Sequence, residues 1–271
     1  MKKIITLICL ILLTACGSST TDNGAQLETI SVIATLEPHS TILEFVEAQL
    51  NEKGYTLDIQ VVDDYYIPNL AVNDGEADAN FFQHIPFFEG EVNDKGYDLV
   101  NVGGVHIEPF GFYSKRISDI SQLEEEATIV ISNSVADNGR ILNILQQYGL
   151  ISIKEGVEVV DATLNDIAEN PLNLQFVEVK PELLTLAYEN DEGDLIAING
   201  NYAISAGLNP TSDAVILEKA DSDNPYVNIL VCRSEDQDSV KIKALIECLQ
   251  SEETKAFILE HYADGSVIPS E

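Results

Sequence analysis

Short β-branched runs alternate with apolar-periodic stretches that end at glycine, and this alternation restricts the fold of the 271-residue chain more than any other feature. A strand is expected over 29–36 (TISVIATL), rich in Ile, Val and Thr. Thr41-Ile42-Leu43-Glu44 then matches a capping box. Behind it Ile42, Phe45, Val46 and Leu50 share one helical face, and Gly54 ends the helix. The next strand covers 57–62, and a short helix runs from Pro68 through Val72 to a stop at Gly75. A buried strand follows over 77–82, a helix over 85–95 closed by Gly96, and a strand over 99–106. The order then recurs. A strand over 128–131 leads into a helix over 138–148, whose apolar residues are Ile141, Leu142, Ile144 and Leu145 and which Gly149 closes. Strands at 195–198 and 214–217 come next, and two helices, 238–250 and 252–262, end the chain. Such alternation implies an α/β protein with largely parallel sheets. Two further β runs, 111–113 and 227–231, follow Pro109 and Pro225 and read as crossings between two lobes.

The first sixteen residues are of another kind. Lys2 and Lys3 precede an almost wholly apolar run from Ile4 to Leu13, and Thr14-Ala15-Cys16 follows. This is the shape of a secretory signal peptide, covering 1–15. The run is too short for a membrane span, which takes roughly 20 apolar residues. Leu13-Thr14-Ala15-Cys16 resembles a bacterial lipobox, in which Cys16 is lipidated and becomes the new N-terminus. Several acyl chains on one residue give durable anchoring. Residues 17–24 hold no large apolar side chain and read as a tether, so that 16–27 links lipid to folded body. The chain is therefore expected outside the cytoplasm, anchored to a membrane through lipid.

Charge excludes a class of partners. Fourteen Lys and Arg face 46 Asp and Glu, a net charge of −32, and loss of Lys2 and Lys3 deepens it. Such a surface repels nucleic acid and anionic headgroups. Of four cysteines, Cys9 leaves with the signal and Cys16 carries lipid. Cys232 and Cys248 remain, either paired, as export permits, or as buried free thiols.

Strand ends concentrate the chemistry. Asp63-Asp64-Tyr65-Tyr66 follows one strand, Asn80-Phe81-Phe82-Gln83-His84 a second, and His106-Ile107-Glu108-Pro109 a third. Asn133 and then Asp137-Asn138-Gly139-Arg140 follow a fourth, and Asn199-Gly200-Asn201-Tyr202 a fifth. In open α/β sheets ligands bind beyond the carboxyl ends of strands. Arginine grips carboxylates, asparagine amides serve both carboxylate and ammonium, and aromatic walls pack an aliphatic or thioether chain. The set suits a small zwitterion with an apolar side chain. Tyr65 and Phe82 taken singly suit a core equally well, and His84 and His106 suit structural hydrogen bonds. Arg140 is one of three arginines and is expected in the first turn of its helix, where the macrodipole disfavours a cation. That placement points to an anionic partner, either a ligand or a surface carboxylate.

These residues carry a resemblance. PHSTILEFV at 38–46, DYYIPNLAVNDGEADANFFQHIPF at 64–87 and VHIEPFGFYSKR at 105–116 are joined by ATIVISN at 127–133 and NGRILNILQQYGLI at 138–151. AENPLNLQF at 168–176, INGNYAISAGL at 198–208 and NPYVNILVCR at 224–233 complete the set. In this order they resemble the methionine-binding lipoprotein family (NlpA/MetQ type), the solute receptors of methionine ABC importers. The resemblance implies a two-lobed type II periplasmic-binding-protein fold with the ligand cleft between lobes, and no catalysis. On this reading lobe I takes 28–109 plus 229–271 and lobe II takes 110–228. The implied ligand is L-methionine, D-methionine or a methionine dipeptide. The implied partner is an ABC permease, and the receptor would act as a monomer without a cofactor. Tyr65, Phe82 and His84 would line the side-chain pocket, and Arg140 would grip the carboxylate. Asn199 would hold the backbone groups of the ligand, with Asn133 and Asn201 nearby and His106 beside or behind them. The chain departs from its relatives at Asp137-Asn138-Gly139-Arg140, where Asn-Glu-Gly-Arg is common. It also has Phe110 where many have methionine, and a bulkier residue by the cleft would reshape the pocket.

Two other classes of function stand beside this one. His84, His106 and Glu108 could form part of a zinc site, which would make the chain a metal receptor. An enzyme would need a recognisable motif, and the sequence has no nucleophile elbow, Walker loop, zincin helix or dinucleotide fingerprint.

Overall fold

A computed structural model describes residues 27–219 and 224–270. The signal peptide and Cys16 lie outside them. The strands are β1 (Glu28–Ala34), β2 (Tyr55–Val61), β3 (Ala79–His84), β4 (Leu99–Ile107), β5 (Gly111–Tyr113), β6 (Thr128–Ser132), β7 (Ser152–Ile153), β8 (Ile167–Glu169), β9 (Gln175–Val179), β10 (Leu195–Ile198), β11 (Ala214–Leu217), β12 (Val227–Arg233) and β13 (Ile268–Pro269). The helices used below are α1 (Thr41–Glu52), α2 (Ile67–Asn73), α3 (Ile85–Lys95), α4 (Val135–Gln147), α5 (Leu184–Glu189) and α6 (Gly200–Ser205).

Two sheets build two lobes. One has six strands in the order β13-β4-β12-β3-β1-β2, the other five in the order β11-β5-β10-β6-β9. Sheet membership runs over 28–107 and 227–269 in the first lobe and over 111–217 in the second. β1, β2 and β3 are mutually parallel, as are β6, β9 and β10. Every residue of β3 is buried, because helices or strands cover both its faces. Each lobe has its own apolar core: Ile30, Val32, Leu43, Phe81 and Leu245 belong to the first, and Phe112, Ile129, Ile141 and Leu195 to the second.

Three expectations are corrected. Residues 111–113 and 227–231 are not crossings. β5 pairs with β10 and β11, and β12 lies between β3 and β4, because these apolar runs bury their side chains and need ladder partners for their backbone. Among the described residues the crossings are the flanking links at 108–110 and at 218–219 and 224–226. Glu218 and Phe110 join them through backbone hydrogen bonds in both directions or their side-chain equivalent: Glu218 N donates to Phe110 O at 2.8 Å, and Phe110 N donates to Glu218 Oε2 at 3.1 Å. The capping box at Thr41 does not form. Residue 40 is already helical, so Thr41 N donates to Pro38 O and its hydroxyl donates to Glu37 Oε1. Helix α4 starts three residues before the expected Asn138, which puts Arg140 beyond the first turn and removes the macrodipole argument. Cys232 and Cys248 are buried free thiols. Edge strand β9 and helix α5 were not read from the sequence; β9 is mostly exposed and has no apolar run to mark it.

Gly139 fixes how α4 packs. A Cβ there would lie 1.9 Å from the carbonyl oxygen of Val159, so helix and loop backbone meet directly. Gly139→Ala is expected to destabilise the protein by about 2–3 kcal/mol or more, since overpacking against backbone has no side chain to yield. Urea denaturation checks this, and an unchanged midpoint would contradict the packing described.

Candidate ligand-binding site

The carboxyl ends of the central strands converge between the lobes. β3 delivers Phe82, Gln83 and His84, β4 leads to Glu108, and β12 carries Asn228. From the second lobe β10 leads to Asn199 at the N-cap of α6, and β6 leads to α4. Asp137 and Arg140, three residues apart, share one face of α4. The apolar residues Ile141, Leu142, Ile144 and Leu145 are buried in the second lobe. Tyr65, Phe87, Gly200 and Asn201 join Phe82, Gln83, His84, Glu108, Asp137, Arg140, Asn199 and Asn228 in lining one cavity, open at its mouth.

Contacts across the cleft hold the lobes together. Tyr65 Oη donates to Asn201 Oδ1 at 2.6 Å, and Tyr202 Oη donates to the carbonyl of Asp63 at 3.2 Å. Tyr65, Phe82 and Phe87 of the first lobe share an apolar cluster with Ile198, Tyr202 and Ala203 of the second. Tyr65 and Tyr202 rings lie 5.0 Å apart. Gly200 leaves room for Glu108, whose Cβ lies 2.6 Å from where a Cβ on Gly200 would be.

Arg140 is held from three sides. Its Nε and Nη2 donate to Glu218 at 2.9 and 2.5 Å, and Nη2 also donates to the carbonyl of Glu108 at 2.7 Å. Its guanidinium lies over Tyr226 at 4.3 Å. The anionic partner foreseen for Arg140 is therefore, in the first place, Glu218 on the second crossing. Nη1 makes no hydrogen bond among the described residues and remains the free donor.

Proton placement follows from the bonds. His84 Nδ1 accepts from Phe87 N at 3.2 Å, so the proton sits on Nε2, 3.8 Å from Asp137 Oδ1. Burial pushes the Asp137 carboxyl up, but His84 first, then Ser132 and Asn199, outweigh it and hold the group below the usual carboxylate range. His39 accepts from Thr35 Oγ1 at Nδ1 (2.7 Å) and donates from Nε2 to Asn228 Oδ1 (3.1 Å). That fixes the Asn228 amide and leaves its Nδ2 as the free donor. His106 Nε2 donates to Glu108 Oε1 at 2.8 Å. Burial raises Glu108 above the ordinary carboxylate range, against the pull of His39, Arg140 and the backbone N–H of Asn201.

Of the eight residues named from the sequence, Tyr65, Phe82, His84, Arg140, Asn199 and Asn201 line the cavity. Asn133 does not: it is exposed, and its backbone N–H bonds to Val179 O. His106 is fully buried behind Glu108 and outside the lining. Phe110 does not line the cavity either: it sits in the core of the second lobe beside Phe112, with the Arg140 guanidinium 5.3 Å from its ring. Gln83, Phe87, Glu108, Asp137, Gly200 and Asn228 also line the cavity and are not among the eight. Asn228 lies mid-strand in an apolar run, and only its register against His84 reveals its place. The metal trio suggested by sequence is not assembled. His84 faces Asp137, while His39 joins His106 and Glu108, with ligand atoms within 4.8 Å of one another. His39 is engaged by Thr35 and Asn228 and His106 Nε2 by Glu108, while His106 Nδ1 is buried without a partner.

Burial lowers His39 to about 4, with attraction to Glu108 opposing it, and lowers His106 to about 3. Above pH 6.5 both histidines are neutral, folded or unfolded. Below it the unfolded chain takes up protons that the folded one refuses, so stability falls from about pH 6.5 to about 4 for His39 and about 3 for His106. His106→Gln is expected to reduce the slope of unfolding free energy against pH, near pH 5, by about one proton, roughly 1.4 kcal/mol per pH unit. Urea unfolding at several pH values reads this directly, and a slope equal to that of the parent would contradict it.

The NlpA lipoprotein family matches residues 30–271. The chain is 50% identical over 258 residues to the methionine-binding lipoprotein MetQ of Bacillus subtilis, covering 94% of this chain and 92% of that protein. The crystal structure of a nutrient-binding protein from Burkholderia cenocepacia bound to methionine superposes with a TM-score of 0.84 at 34% identity, over 89% of this chain and all of the other. A periplasmic substrate-binding protein of an ABC transporter from Coxiella burnetii gives 0.82 at 33% identity, with coverage of 89% and 100%. The two-lobed fold is thus that of periplasmic substrate-binding proteins, and this chain belongs to the NlpA lipoprotein family.

Proposed function

We propose that the chain is an extracytoplasmic receptor that binds L-methionine, or a close relative of it, and delivers it to an ABC permease. The observation that carries this reading is the chemistry left free in the cavity wall. Arg140 Nη1 and Asn228 Nδ2 are donors for a carboxylate. Tyr65, Phe82 and Phe87 offer aromatic faces and edges to a flexible thioether. The methionine bound by the Burkholderia relative and the name of the Bacillus one support the same ligand. D-methionine and methionine dipeptides present the same groups in other arrangements.

Binding supplies the work of closure. A ligand that touches both lobes favours the form in which Tyr65 reaches Asn201, and a permease that docks the closed form then selects loaded receptor. Among the described residues no helix is long and apolar enough to cross a membrane. Lipid on Cys16 would supply the anchor, with 17–27 as tether. Nothing in this role needs a cofactor or a second copy of the chain, and the chemistry is binding rather than catalysis.

Calorimetry on the body from Glu28 onward, stripped of ligand by unfolding and refolding, tests the reading. L-methionine, D-methionine and glycyl-methionine should rank with one of them clearly tightest. Tyr65→Phe should weaken that ligand about five-fold, because the closed form loses one buried hydrogen bond worth about 1 kcal/mol. Failure to bind any of the three would contradict the assignment.

A further inference from the structure

Asn228 of β12 lines the cavity, and the group that orients it does not. The ladder between β12 and β4 shifts register between Asn228 and Ile229, and such a bulge re-aims a side chain out of the regular alternation. Asn228 Oδ1 accepts from His39 Nε2 at 3.1 Å, while Nδ2 makes no hydrogen bond among the described residues. His39 lies in the turn between β1 and α1, is 1% exposed and stays behind the cavity wall. The rings of Phe81 and His106, 4.7 and 4.9 Å from its own, hold the imidazole in place.

Which way the Asn228 carboxamide points depends on where His39 keeps its proton. Burial lowers His39 to about 4, so at neutral pH the ring carries one proton for two nitrogens. Nδ1 faces the Thr35 hydroxyl at 2.7 Å, and a hydroxyl donates as readily as it accepts. Nε2 faces two oxygens, Asn228 Oδ1 at 3.1 Å and Glu108 Oε1 at 3.5 Å. A lone pair on Nε2 would point at a carboxylate, so Glu108 settles the choice and the proton sits on Nε2. A carboxamide reversed about its last bond would then set its NH2 against the imidazole N–H, donor against donor. It would also turn Oδ1 toward the cleft, where it would repel a carboxylate that Nδ2 attracts.

We propose that His39 is a positioning residue for the ligand carboxylate: with its proton held on Nε2 by Glu108, it keeps Asn228 turned donor-first toward the cleft, and so favours a free carboxylate over its amide. This rests on the reading of the cavity as an amino-acid site and adds a specificity determinant that never touches the ligand. The donor matters most against a charged acceptor, because charge-assisted hydrogen bonds are about twice as strong as neutral ones.

Calorimetry with two ligands tests it. L-methionine and L-methioninamide, which has a carboxamide in place of the carboxylate, are titrated into the parent receptor, His39→Met, His39→Gln, Asn228→Ala and the double variant of His39→Met with Asn228→Ala. His39→Met should weaken methionine about ten-fold, the loss of one oriented hydrogen bond to a charged group. It should change methioninamide by less than about two-fold, because a carboxamide meets either orientation of Asn228 with a complementary group. His39→Gln, whose amide N–H stands in for that of Nε2, should restore most of the methionine affinity. In the Asn228→Ala background His39→Met should cost nothing further, since the group it acts through is gone. Equal weakening of both ligands, a loss that adds in full to that of Asn228→Ala, or an unchanged affinity for methionine would overturn the proposal. Should His39→Met fail to fold by circular dichroism, heteronuclear NMR of the parent decides: a proton on His39 Nε2 supports the proposal and a proton on Nδ1 overturns it. A parent that binds neither methionine nor its amide would overturn the receptor reading itself, and the proposal with it.

Discussion

The guanidinium of Arg140 is the point where the two crossings, the cavity and the second lobe meet. It rises from α4, bonds Glu218 on one crossing and the Glu108 carbonyl on the other, and lies over Tyr226. Glu218 in turn receives the N–H of Phe110. A buried ion pair is not by itself a source of stability, because desolvation offsets much of the attraction, but breaking one leaves an uncompensated charge at a cost of about 3–5 kcal/mol. The links between the lobes are therefore registered to each other through one side chain, and that side chain has a remaining donor available to a ligand. An anion that engages Nη1 would act on the same group that ties the links together, so occupancy and hinge geometry are coupled through contact rather than over distance.

Behind this junction the buried network of His39, His106 and Glu108 keeps the cleft polar without making it reactive. Both histidines are neutral at physiological pH and direct single protons, one to Asn228 and one to Glu108. Glu108 also packs against Gly200 in the first turn of α6, where a carboxylate is electrostatically welcome. Its approach requires that residue 200 be glycine. One carboxylate thus belongs to the first lobe through two imidazoles and to the second through a helix end. The arrangement orients groups and holds lobes.

Much of this was legible from residue order alone. Strand and helix types followed from β-branched runs and glycine stops, and six of the eight named residues line one cavity because strand ends in an α/β protein share an edge. What escaped the sequence depended on tertiary pairing. The runs at 111–113 and 227–231 look like links because prolines precede them, yet their apolar side chains place them inside the sheets. Asn228 is hidden in an apolar strand, and its cleft position comes from antiparallel register with His84. Asn133 follows a strand as Asn199 does, but its side chain is on the surface. The partner of Arg140, Glu218, is 78 residues away, and no local pattern links the two.

In the proposed function, ligand binding and lobe closure are one equilibrium. Small-angle X-ray scattering on the ligand-stripped body, before and after saturating methionine, measures it most directly. Closure on the ligand predicts a smaller radius of gyration in the presence of methionine, with the scattering of the loaded form matching the closed lobes described here. An identical radius with and without bound methionine would contradict it, and would mean that the contacts between Tyr65 and Asn201 and between Tyr202 and Asp63 hold the cleft shut without any help from the ligand.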